Sequence, residues 1–192
     1  LEAGTSTGTR VHGQELVVWR DITGAAHVWE DRCPHRGMRL SFGFVRGQHI
    51  ACLYHGWQFD AQAQCRLIPA HPDITVPKTI RATRYGAIER LGMVWVELPV
   101  DANAAALEDE APVTTVRSLT IAAAPELVAA EWAPGVIVQQ EVEGLRVLAG
   151  VQPLCATETA VHLVIAGTAD ASARKRVATW GMALRTRLEA ST

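Results

Sequence analysis

The chain is short of charge of one sign. Its 192 residues carry 18 Lys plus Arg against 20 Asp plus Glu, a formal net charge of -2. That near-balance argues against nucleic acid as a main partner, because phosphate binding needs a surplus of cations on one face. Long apolar runs are also missing: none approaches the roughly 20 residues of a membrane span, so no membrane partner is expected. Cysteine is scarce. Cys33, Cys52, Cys65 and Cys155 are too few for a disulfide scaffold. Leu1 to Arg10 is rich in Gly and Thr and lacks the pattern of a signal peptide. It is expected to be a flexible start, and a cytoplasmic address is the default expectation. What is present is a normal apolar fraction, 48%, in a chain long enough to hide roughly 70% of the surface its unfolded form exposes.

Residues 11–100 read as short strands. Glu15 to Arg20 and Ala26 to Trp29 flank the turn signal Asp21-Ile-Thr-Gly24, the pattern of a hairpin. Further strands are expected at His49 to Tyr54, Trp57 to Phe59, Thr79 to Thr83 and Gly92 to Leu98, all rich in Val, Ile, Trp or Tyr. This spacing suggests a small all-β barrel or sandwich. The acidic, Ala-rich stretch over 101–112 reads as a linker. Residues 113–192 read as α+β. Strands are expected at Val116 to Ala122, Leu145 to Val151 and Thr159 to Ile165. A short helix is expected from Pro125 to Trp132, with proline in its first turn. A longer one is expected from Ala171 to Ala190, on the seam Val177, Trp180, Leu184 and Leu188.

The chemistry lies in Cys33-Pro-His35-Arg-Gly37-Met38 and Cys52-Leu-Tyr-His55-Gly56-Trp57. One residue separates Cys33 from His35, two separate Cys52 from His55, and sixteen lie between the pairs. Each half supplies one thiolate and one imidazole from a tight loop. Two such loops can close on an object with two different ends, and a two-iron, two-sulfide cluster is one, with cysteines on one iron and histidines on the other. A structural zinc site is the rival, since zinc also accepts two Cys and two His. It more often takes Cys with Cys and His with His in short knuckles, so a zinc-stabilised binding module fits this order less well. Gly37 and Gly56 allow sharp turns and close backbone approach.

These two motifs, with Gln58-Phe-Asp60 and Ile68-Pro-Ala70, resemble the Rieske domain of ring-hydroxylating and O-demethylating (vanillate demethylase-like) oxygenase alpha subunits, over about residues 11–100. Gly92 to Glu97 looks like that domain's closing strand. Ala61 to Gln64 departs from the family, which often has a glycine turn there. The resemblance implies a [2Fe-2S] cluster with Cys33 and Cys52 on the inner iron and His35 and His55 on the outer one. It implies one-electron transfer from a reductase or ferredoxin towards a terminal non-haem iron, and a homotrimer in which one subunit feeds the next. No cysteine follows either histidine to make the inter-loop disulfide of respiratory Rieske proteins; Met38 and Trp57 stand near those places. A potential at the low end of the Rieske range, near ~-150 mV, is expected.

Arg32, Arg36, Arg39 and Arg46 are either a docking face for an acidic donor or a solvated loop with local ion pairs. Tyr54, Trp57 and Phe44 serve either to shield the cluster or as β-core. Cys65 and Cys155 are expected to be small buried apolar residues. A mononuclear iron would need two histidines and a carboxylate. After residue 71 only His162 remains, in a strand-like run that suggests a structural role. Mononuclear Fe(II) is therefore not supported within this sequence. Residues 147–165 and the closing helix resemble the last strands and C-terminal helix of the oxygenases' helix-grip catalytic domain, as a short remnant. The alternative is a complete oxygenase alpha subunit whose iron site lies outside this sequence, with the stretch from Trp132 to Glu143 as the place an internal piece would belong.

Overall fold

The computed structural model describes residues 1–98, 112–132 and 137–191. These fall into two compact units, the first mainly over Leu1–Arg10 and Gln14–Ile88, the second mainly over 112–191. The linker expected at 101–112 lies outside the described residues except for Pro112. Positions 133–136 of the stretch singled out for an internal piece also lie outside them.

The first unit is all-β. One sheet runs in the order β1 (Ser6–Val11), β2 (Gln14–Arg20), β3 (Ala26–Glu30), β8 (Arg84–Arg90), β9 (Met93–Glu97). A second sheet runs β4 (Phe44–Arg46), β5 (His49–Ala51), β6 (Gln58–Asp60), β7 (Cys65–Leu67), with a 3-10 turn at Leu40–Phe42 leading into it. The β2–β3 hairpin pairs Leu16 with Glu30 through Arg20 with Ala26. Its turn is built by Asp21, whose buried carboxylate accepts bonds from the Thr23 amide (2.8 Å), the Thr23 hydroxyl (2.6 Å) and the Ala25 amide (3.2 Å). Val17, Trp19 and Trp29 then join Ile50 and Phe59 in the core.

Several details differ from the expectations. The start expected to be flexible forms strand β1 from Ser6, whose Thr and Ser residues suit an extended edge. The strand expected over His49 to Tyr54 ends at Ala51, because the next residues close a tight loop. Thr79 to Thr83 makes only an isolated bridge, Gln64 to Arg81. At Ala61 to Gln64, Ala63 takes the left-handed conformation (φ 63) with its methyl fully buried. The Asp60 carboxylate holds that turn by accepting the amides of Gln62 and Gln64, both at 3.0 Å.

The second unit is the short α+β segment that resembles a truncated helix-grip domain. Its antiparallel sheet runs β10 (Val113–Ile121), β13 (Glu158–Ala166), β12 (Leu145–Cys155), β11 (Ile137–Val142). Helix α1 (Pro125–Ala129) is shorter than expected. Helix α2 (Ala171–Glu189) starts at Asp170, which accepts the Ala173 amide at 2.7 Å. Val177, Leu184 and Leu188 of its seam are buried against Leu119, Val161, Leu163 and Ile165, with Trp180 partly buried at the edge. Gly181 lets the helix approach closely, since a Cβ there would lie 2.6 Å from Leu163 Cδ1. His162 ties three strands together: Ser118 Oγ donates to its Nδ1 (2.7 Å) and its Nε2–H donates to Gln152 Oε1 (2.9 Å). Burial holds this imidazole below its ordinary pKa, and the ring acts as a brace.

Candidate metal centre

The two cysteine–histidine loops share one backbone frame. In the first, the Cys33 amide donates to the Met38 carbonyl (2.8 Å) and the Gly37 amide to the Cys33 carbonyl (2.8 Å). In the second, the Cys52 amide donates to Trp57 (2.9 Å) and Gly56 to Cys52 (3.0 Å). The fifth residue of each loop is a glycine in the left-handed region, Gly37 at φ 74 and Gly56 at φ 70. No other residue type adopts that conformation so readily. The frame is the same, yet the imidazole stands at the third position in one loop and the fourth in the other. Pro69, in the third motif noted in the sequence, covers the second loop: a Cβ on Gly56 would lie 3.1 Å from its Cγ.

The four side chains are graded by depth. Cys33 and Cys52 are 2% and 3% exposed and belong to the hydrophobic core. His35 is half-buried and His55 is exposed. The thiols neighbour one another, and the imidazole centroids are 4.6 Å apart at 64°. Among the described residues, no three His, Cys, Asp or Glu side chains converge on a single ion. The side chains stand as two deep thiols and two shallower imidazoles.

Electrostatics follow the same gradient. Burial pushes the Cys33 thiol up to about 12, and the nearby Cys52 adds to this, against the amides of His35 and Arg36 that point at its sulfur. Positive charge close to the sulfur, such as a metal ion's, would favour the thiolate. Burial, then repulsion from His55 and Arg36, lowers the His35 pKa and favours the neutral imidazole.

Around the loops the residues divide. Tyr54 and Phe44 are 55% and 52% exposed, so neither is β-core. Trp57 lies flat on His35, with ring centroids 4.3 Å apart and planes 5° apart. Arg39 is bound to Glu15 as a local ion pair. Arg32 and Arg36 line a cleft of about 320 Å³ beside Cys33 and His35, joined by Arg81, which sequence spacing did not connect to this loop. Cys65 is buried as expected. Cys155 is only half-buried, and its thiol pKa is lowered by the Thr157 hydroxyl and amide. Its place after a bulge at the end of β12 explains the difference.

A family model described as the Rieske [2Fe-2S] domain matches residues 1–80. The chain is 40% identical over 87 residues to the oxidoreductase NdmD of Pseudomonas putida, covering 45% of this chain and 15% of that protein. It is 39% identical over 114 residues to the 4beta-methylsterol monooxygenase of Methylococcus capsulatus, covering 57% of this chain and 29% of the relative. The chain therefore spans less than a third of the length of these relatives. Among solved structures, apo dicamba monooxygenase superposes with a TM-score of 0.75 at 16% identity, over 98% of this chain and 82% of that one. At that identity the likeness is one of fold. No helix among the described residues is long and apolar enough to cross a membrane.

Proposed function

Residues 1–80 belong to the Rieske [2Fe-2S] domain family, and from that premise we propose that Cys33 and Cys52 hold one iron of the cluster and His35 and His55 the other. The observation that carries this is the grouping of two buried thiols with two less buried imidazoles whose rings are neighbours. When bound, the cluster supplies one-electron chemistry, at a potential raised because imidazoles replace thiolates on one iron. The chain's own residues set how the electron enters and leaves. The buried cysteines keep water from the inner end. His55 faces solvent and makes the outer end the electron port.

The chain acts as an oxygenase-family electron carrier, taking single electrons from a reductase or ferredoxin and passing them towards a terminal non-haem iron. Arg32, Arg36 and Arg81 line the cleft beside the port and outnumber its one carboxylate, Glu30. They suit an acidic donor. A cytoplasmic location fits this role. The second reading, an oxygenase subunit (in a trimer, with the iron site beyond this sequence), draws support from the second unit's likeness in fold to an oxygenase.

Metal analysis, electron paramagnetic resonance and a redox titration of the full chain test both. Two irons and two acid-labile sulfides per chain fit the carrier, while a third iron in the protein produced from the intact gene supports the second reading. A colourless zinc protein, or a midpoint above roughly +100 mV where ~-150 mV is expected, overturns the low-potential Rieske assignment.

A further inference from the structure

We propose that Trp57 is a non-covalent clasp between the two cluster loops, fixing the plane of the His35 imidazole. This rests on His35 being a ligand. Trp57 is tied to both loops at once. Its carbonyl closes the second loop by accepting the Cys52 amide at 2.9 Å, while its indole lies parallel to the imidazole of the first, at 4.3 Å and 5°. No disulfide does this work: all four cysteines are free.

An imidazole needs such a constraint. Its outer torsion is broad and roughly two-fold, so a fixed backbone leaves the ring plane loose. His35 is half-buried, and its other ring neighbour, His55, meets it at 64° and holds no common plane. Trp57 is itself steadied, packed against the buried cluster that contains Cys33 and Cys52. His55 has a different arrangement. Its ring partner Tyr54, at 3.9 Å, comes from its own loop and is 55% exposed, so it bridges nothing. Trp57 is therefore a positioning residue acting through His35.

The test compares the cluster-loaded full chain with Trp57→Phe and Trp57→Leu. Phe keeps a flat ring, and Leu keeps only apolar bulk. The readouts are the rate at which visible absorbance is lost in excess EDTA, and the width of the paramagnetic resonance lines. An aromatic stack of this kind is worth a two- to tenfold change in an opening equilibrium, on the order expected for ring pairs. Trp57→Leu is therefore expected to lose its cluster about fivefold faster with broadened lines, and Trp57→Phe to stay within about twofold of the parent. A Leu variant that matches the parent in both readouts overturns the clasp. So do Leu and Phe variants impaired equally, which would make Trp57 ordinary core. Nitrogen hyperfine couplings from 15N-histidine in the parent separate the two levels. Their absence refutes His35 as a ligand, and their presence with an unaffected Leu variant refutes the clasp alone.

Discussion

Gly43→Ala is expected to damage the centre without touching a ligand. Gly43 follows the 3-10 turn with extended backbone (φ -83), so the alanine conformation itself is unstrained. The obstacle is space. An added Cβ would lie 2.2 Å from the Ala51 carbonyl oxygen and 2.9 Å from that of Leu40. Both obstacles are backbone, so neither can rotate away, and the strands must part by about 1 Å to restore ordinary contact, a forced overpacking. Ala51 pairs with Phe44 across β4–β5 and immediately precedes Cys52. The displacement therefore breaks that pairing or shifts the thiol. Overpacking of this severity costs about 2–3 kcal/mol. For a unit of about a hundred residues that lowers the melting temperature by roughly 10–20 °C. Gly47→Ala is the control. It has nothing within 4 Å and loses only the left-handed preference (φ 63), about 1–2 kcal/mol. Thermal unfolding followed by tryptophan fluorescence, with visible absorbance per chain alongside, reads both effects. A Gly43→Ala protein as stable and as coloured as Gly47→Ala would refute the reasoning.

Asp21 gives a pH signature. Burial raises its pKa, but bonds from the Thr23 hydroxyl, His27 and the amides of Thr23 and Ala25 outweigh this and hold it at about 2. With a folded pKa below the unfolded one, its stabilisation is complete above pH ~4 and lost as pH falls towards ~2. Asp21→Asn is therefore expected to cost about 1.5 kcal/mol at pH 7, by urea denaturation, with the cost shrinking across that window; a cost independent of pH would contradict it. In the second unit, Leu163→Ala removes a fully buried contact with α2 and is expected to cost about 2–5 kcal/mol. Circular dichroism of the helix during unfolding reads it, and a loss under 1 kcal/mol would place Leu163 outside the load of that core.

The two cysteine–histidine loops were legible because each carries its Cys, His and Gly within six residues, enough to mark a tight turn. The β2–β3 hairpin was legible because Asp21 and Gly24 punctuate two β-rich runs, and α2 because its seam repeats at three and four. What escaped has physical reasons. Strand β8, Arg84–Arg90, carries charges that mask its alternation, and β11, Ile137–Val142, has three polar residues in its centre. Both are held by pairing with neighbours, which no local pattern reports. Ring planes are a tertiary matter, so the stack of Trp57 on His35 has no sequence signal. The arginines split for the same reason. Arg39 finds Glu15, which is 24 positions away, while Arg32 and Arg36 meet Arg81 across a fold that spacing does not reveal.

In each of the twin hydrogen-bonded frames, at Cys33–Met38 and Cys52–Trp57, peptide groups and one glycine set the shape of the backbone turn. One backbone frame thus presents a histidine from its third place in the first loop and from its fourth in the second.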